Sequence, residues 1–176
     1  MPLISDATAP YALGEAGWIP LLCHVDPEVV ISSWVRRELR RFADQVAAGE
    51  ANGWLRVVEP SRSEVEQLQA LVPELERGEI ETIVLLGHPR YRDATLLIDE
   101  GPAYRFVRAA IAPRMPALEI VCLAQVLHIL EDAGHLPTSA ASAMQVLLDQ
   151  GSCAWAPSVR RDDVRWCRQQ GKEPLP

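Results

Sequence analysis

Two kinds of hydrophobic pattern alternate along the chain. "PLIS" at the start, "EVVIS" ending at Ser32, "WLRVVE", "ATLLI" and "LEIVC" are short, nearly unbroken apolar runs. Runs of roughly four to eight such residues bounded by turn-formers read as strands buried on both faces. Between them, apolar residues return every three or four positions, as on one face of a helix. Helix-like sequence follows the first run to about Leu22, and a helix from about Ser33 to Ala48 follows the second. Ser61 and Ser63 each stand three residues before a glutamate and offer capping boxes for a helix toward Glu76. Gly78 separates that helix from another over Ile80 to Leu86. "PAYRFVRAAI" supplies the next, and two more fall near 123–133 and 138–150. Strands alternating with helices predict an α/β fold of three layers, α/β/α, with a central, mainly parallel sheet.

Composition bounds this picture. At 176 residues, 48% of them hydrophobic, the chain suits one core, and the most linker-like stretches, at 49–53 and 151–157, are too short to separate domains. Residues 1–150 form the expected domain. The segment 151–176, with Trp155, Val159 and Trp166 among charged residues, is expected to pack on it or on a partner. No apolar run approaches the roughly 18 residues needed to span a bilayer, and no basic flank precedes an apolar stretch at the N-terminus. A cytoplasmic protein is expected. Cys23, Cys122, Cys153 and Cys167 are scattered without metal-binding spacing, which favours free buried thiols.

The net charge of −7 argues against nonspecific coating of nucleic acid, which needs basic surface to displace counterions. Any such contact must be local. Lys172 is the only lysine, and Arg36, Arg37, Arg40 and Arg41 crowd one short segment. Arginine grips phosphate bidentately, although clustered arginines are commonly a solvated helix face.

The acids carry the candidate chemistry. Asp6 follows "PLIS" as Asp99, with Glu100 beside it, follows "TLLI". In open α/β sheets ligands bind beyond the carboxyl ends of the strands, where strand order reverses, so two acids placed there mark a functional edge. Each alone is equally a helix cap. Glu38 falls within the apolar stripe of Trp34, Val35, Leu39 and Phe42. A carboxylate there needs a cation or a salt bridge, for which the four arginines compete. In "GEIETI", Glu79 lies nearer the stripe of Ile80, Ile83, Val84 and Leu86, with Glu81 held in reserve; both sit where the helix dipole favours an anion. Unit charges ~4 Å apart repel by ~4 kcal/mol at an effective dielectric of 20. Converging acids must therefore protonate or hold a hard divalent cation, and an all-oxygen set suits Mg²⁺ or Mn²⁺.

"SDATAPYALGEAGWIPLL", "VVISSWVRREL", "GEIETIVLL" and "LLIDEGPAYR" follow, in order, the motifs of the PIN-domain superfamily. The chain resembles specifically its bacterial branch of virulence-associated protein C type nuclease toxins, over residues 3 to about 136. The resemblance implies that residues 1–150 are a PIN-like domain. It also implies that Asp6, Glu38, Glu79 or Glu81, and Asp99 hold Mg²⁺ or Mn²⁺ to hydrolyse RNA phosphodiesters, with Glu100 adjacent and Arg105 matching an arginine common in the family. An antitoxin protein covering the acidic site, and a homodimer, are implied in the same way. Where the branch often carries a Gly-Thr pair and then a lysine, this chain reads Cys122, Leu123 and Glu131; the substrate phosphate is the feature of the site this touches. No histidine base is required, and His128 reads as a satisfied core or edge residue.

Two readings compete with a nuclease. A PIN-like binding or scaffold protein would keep the acids without cleaving. An aspartate phosphotransfer protein would need a lysine near its phosphorylated acid or, in the phosphatase type, a second Asp where this chain has Thr8.

Overall fold

The computed structural model describes residues 1–99 and 101–150. Five strands, β1 (Leu3–Ser5), β2 (Val29–Ser32), β3 (Leu55–Val58), β4 (Thr95–Leu97) and β5 (Glu119–Val121), form one sheet in the order β3-β2-β1-β4-β5. All four pairings are parallel. The chain builds outward from β1 to β3, then returns to place β4 on the other side of β1. Strand order therefore reverses between β1 and β4. Ser5 is in register with Leu97, so Asp6 and Asp99 leave the sheet at the same edge, on the two strands that flank this switch point.

Alternation along the strands divides the core. Leu3, Val29, Ile31 and Leu97 pack with residues of α1 (Thr8–Glu15), α2 (Ser33–Glu38), α3 (Ala43–Ala51), α7 (Leu123–Asp132) and α8 (Ala140–Asp149). Ile4, Val30, Leu96 and Ile98 pack with α4 (Arg62–Leu71), α5 (Arg77–Gly87) and α6 (Gly101–Phe106). Both faces of the sheet are thus covered, which explains why the strands read as continuous apolar runs. Each fully buried Leu or Ile contributes roughly 1.5–3 kcal/mol relative to exposure. The three-layer α/β/α architecture is the one expected from the pattern.

Several boundaries differ from expectation. The first helix stops at Glu15, because Gly17 takes a left-handed φ of 74°, and the chain reaches His24 as a 3₁₀ turn. The helix expected from Ser33 to Ala48 is interrupted by a 3₁₀ turn at Leu39–Phe42. That turn seats Phe42 against Gly14, where a Cβ would lie 2.6 Å from the ring. Tertiary packing, which periodicity does not record, breaks this helix. Gly78 does not separate two helices; it lies in the first turn of α5, and α4 ends earlier, at Leu71. Ser61 precedes α4 but exchanges a hydrogen bond with the Ser63 hydroxyl (3.0 Å) instead of capping the helix.

Cys23 is a free thiol, whereas Cys122 is in a disulfide whose partner falls outside the described residues. The expectation of four free thiols therefore fails at Cys122. The expected extension 151–176, with Cys153 and Cys167, also lies outside the described residues, as does Glu100. Among the described residues no helix is long and apolar enough to cross a membrane.

Candidate functional site

Asp6 emerges from β1 and is almost fully buried, at 1% exposure. Its backbone N–H donates to the Leu97 carbonyl of β4 (3.3 Å), which ties it to the neighbouring strand. Its carboxylate accepts from the Thr8 backbone N–H (3.1 Å) and from the Thr8 hydroxyl (3.3 Å), at the first residue of α1. Asp99 follows β4 and is 3% exposed.

Glu38 reaches the same edge from the last turn of α2. None of the four arginines of its segment pairs with it. Its partner is the Trp34 indole, whose Nε1–H donates to Oε1 at 3.0 Å, one helical turn back. The other oxygen, Oε2, faces Gly78 at the start of α5. A Cβ at Gly78 would stand 2.7 Å from it. A glycine in a first helical turn is thus explained by the close approach of a carboxylate from the opposite layer. Burial pushes the Glu38 carboxyl above its ordinary 4.5; the Trp34 hydrogen bond opposes this, and the charges of Glu76 and Glu81 add to it.

The run "ELERGEIE" holds four acids, and the start of α5 sorts them. Glu76 is the N-cap and Glu79 the third helical residue, in a reciprocal capping box in which the Glu76 N–H donates to Glu79 Oε2 at 2.7 Å. Glu81 points elsewhere. Its Oε2 accepts from the Trp34 backbone N–H (3.1 Å) and more weakly from the Ser33 hydroxyl (3.5 Å), while Oε1 pairs with Arg77 Nε at 2.9 Å. Glu81 caps α2 and clamps it to α5, so that helices from opposite layers meet over the sheet edge.

Asp6, Glu38, Glu76 and Glu79, with Gly78, line one cavity of about 30 Å³. Roughly 10–15 Å³ suffices to hold a water, so a small ion fits. Glu81 and Asp99 do not line it. Glu76 was missed in the sequence. It stands at capping-box spacing before Glu79, but glutamate is not one of the residues that normally open that pattern. Beside the cavity, and sharing Thr8, Glu38 and Glu76 with it, runs a groove of about 490 Å³ walled by Tyr11, Arg40 and Arg41.

The remaining sequence candidates are peripheral to this cavity. Arg105 is exposed on α6, with one guanidinium nitrogen 3.1 Å from where a Gly101 Cβ would lie. Cys122 and Leu123 are buried at the start of α7, and Glu131 on that helix faces His128 Nδ1 at 3.5 Å. His128 is less satisfied than expected, because its buried Nε2 has no hydrogen-bond partner among the described residues. His24 and His135 stack on each other, 3.8 Å between centroids.

The donor set fits a hard divalent cation: carboxylates only, in a cavity of ionic size, with a glycine where a side chain would collide. Among the described residues no three of these groups already form a coordination sphere. Mg²⁺ tolerates this, because it keeps several waters and takes one or two carboxylates directly.

No curated protein and no solved structure matches the chain. A family model described as a PIN domain matches residues 2–160, and it covers every element that builds this edge: the chain belongs to the PIN-domain family, whose members are generally nucleases.

Proposed function

We propose that the protein is a divalent-metal-dependent ribonuclease. The observation that carries the reading is the gathering of Asp6, Glu38, Glu76 and Glu79 around one ion-sized cavity at the switch point of the sheet. Beyond the Glu76–Glu79 capping box, packing gives no reason to bring these acids together, since each raises the cost of ionising the others.

In this reading Asp6, Glu38 and Glu79 hold Mg²⁺ or Mn²⁺, with Glu76 lining the same cavity and Asp99 following β4; Glu100, the next residue in sequence, lies outside the described residues. Such an ion, when bound, supplies an activated water and stabilises charge on the leaving oxygen of a phosphodiester. The protein's own role is positioning. The Thr8 backbone and hydroxyl orient Asp6, the Trp34 indole holds one oxygen of Glu38, and Glu81 keeps α2 and α5 together. Arg40 and Arg41 offset the negative charge where an RNA strand would approach. The motif resemblance extends the proposal to a cytoplasmic toxin whose antitoxin covers the acidic groove, and to a homodimer.

The test is titration calorimetry with Mn²⁺ on the wild type and Asp6→Asn at modest salt, followed by an RNA cleavage assay with and without EDTA. Saturable binding and cleavage, both lost in the variant, support the reading; equal binding and cleavage by the variant sink it. A second reading, a PIN-domain scaffold that binds without cleaving, is favoured by the local structural work that Asp6 and Glu79 already do as partners of Thr8 and Glu76. RNA binding without metal-dependent cleavage would establish that one.

A further inference from the structure

Four arginines within six residues stand out in a chain of net charge −7, and none of them lines the carboxylate cavity. The structure separates their roles. Arg36 pairs with Glu50 through Nη2 at 3.1 Å, and Arg41 with Glu15 at 2.7 Å. Arg37 lies over the Trp34 ring, 5.5 Å from its centroid. Arg40 makes no ion pair among the described residues, is exposed, and projects from the 3₁₀ turn that interrupts the helix after Glu38.

Arg40 also has a singular location. It walls the 490 Å³ groove beside the acidic cavity, together with Glu38 and Glu76. It equally walls a second groove of about 380 Å³, which it shares with Arg36, Arg37 and Val46. Arg40 therefore stands between the two grooves, one lined by carboxylates and the other by Arg37. Arg40 shares the first groove with Glu38 and Glu76 without an ion pair to either, and the Trp34 indole already occupies Glu38 Oε1.

We propose that Arg40, with Arg37 behind it, is a phosphate subsite that grips the backbone of single-stranded RNA next to the bond being cleaved. This rests on the ribonuclease reading and names how its substrate is held. Guanidinium geometry suits a phosphate bidentately, and a flexible single strand can follow a groove of this size where a duplex cannot bend into it. A bound divalent ion would halve the charge of the four carboxylates beside the groove, so metal and RNA strengthen each other's binding.

The experiment is fluorescence anisotropy of a fluorescein-labelled single-stranded RNA of mixed sequence, with Ca²⁺ replacing Mn²⁺ to avoid turnover, across a salt series. Arg40→Ala is expected to bind about tenfold more weakly and to lower the salt slope by about 0.7, the value of one single-strand phosphate contact. Arg40→Lys restores some of the affinity. Arg62→Ala, which removes the same charge from the Arg62–Glu66 pair on α4, leaves RNA binding unchanged. Calorimetry with Mn²⁺ alone gives Arg40→Ala the wild-type affinity. If the wild type binds Mn²⁺ and cleaves RNA but Arg40→Ala behaves like Arg62→Ala, the subsite is wrong and the ribonuclease reading stands. Duplex RNA bound as tightly as single-stranded RNA also overturns it. A wild type that neither binds Mn²⁺ nor cleaves RNA removes the reading and the subsite together.

Discussion

The ends of β1 and β2 are neighbours in the sheet and face the same structural problem, the first turn of a helix whose backbone N–H groups lack partners. At the end of β2, Ser32 accepts from the Val35 N–H at 3.1 Å. At the end of β1, Asp6 accepts from the Thr8 N–H at the same distance. Ser32 is the N-cap of α2 and Asp6 stands one residue before the N-cap of α1, but short polar side chains of either kind accept from nearby backbone N–H groups, so the negative charge of Asp6 is surplus to this role. It is also costly, because Asp6 is buried and shares a cavity with Glu38, Glu76 and Glu79. The comparison separates what folding requires at a strand end from what it does not require.

The largest effects should come from exchanging those two requirements. Asp6→Asn keeps an acceptor for Thr8 and removes a buried charge, so its thermal stability is expected to equal or exceed that of the wild type while Mn²⁺ affinity is lost. Ser32→Ala should do the reverse. It loses the cap of α2 at about 1 kcal/mol and retains metal affinity in the folded protein. Denaturant unfolding beside Mn²⁺ calorimetry checks both; a strongly destabilised Asp6→Asn would mean that the charge serves the fold after all.

Glu79 and Glu81 repeat the contrast two residues apart on one helix. Glu81 is bound to Trp34 and Arg77, at 4% exposure, and Glu79 lines the cavity. Glu81→Gln leaves Arg77 without its carboxylate and is expected to cost roughly 1–3 kcal/mol of stability. Glu79→Gln can keep the capping oxygen and so should cost little stability, but should weaken Mn²⁺ binding by at least tenfold. Interchanged outcomes would make Glu81 the ligand.

How much of this was legible in the sequence varied with the cause of each feature. The strands were readable because both faces of the sheet are covered, and Asp6 and Asp99 because they directly follow central strands. Glu38 was readable as a charge within an apolar stripe. Glu76 was hidden among Glu74, Glu79 and Glu81, since only the actual start of α5 at Arg77 distinguishes them. The break after Glu38 was hidden too, because it arises from Phe42 packing on Gly14 of another helix. The sequence also placed Glu38 among arginines, while its partner proved to be a tryptophan; a side chain that reaches back one turn leaves no mark in a pattern of charges.

Gly78 offers a finer test of the same division. Alanine is favoured over glycine inside a helix by about 1 kcal/mol, and the obstacle to a Cβ is the far end of the flexible Glu38 side chain, 2.7 Å away. Gly78→Ala is therefore expected to preserve or raise stability, because Glu38 can swing aside, and to weaken Mn²⁺ binding severalfold for the same reason. Full retention of metal affinity would show that Glu38 need not stand against α5 to act.

The smallest expected effect concerns the charge of Glu38 itself, in metal-free buffer. Its folded carboxyl titrates above the ordinary 4.5, chiefly from burial. Below that ordinary value the group is protonated in both folded and unfolded chains and costs nothing. As pH rises, the unfolded chain ionises first, and stability falls until the folded carboxyl has ionised as well. Glu38→Gln removes this penalty while keeping an acceptor for the Trp34 indole. The variant should therefore have the higher Tm at neutral pH, and its advantage should shrink as pH falls through the raised value toward 4.5. A Tm difference that stays flat across this window would mean that neither burial nor the neighbouring acids raise the folded Glu38 carboxyl. It would also weaken the case that these four acids are held together for a cation.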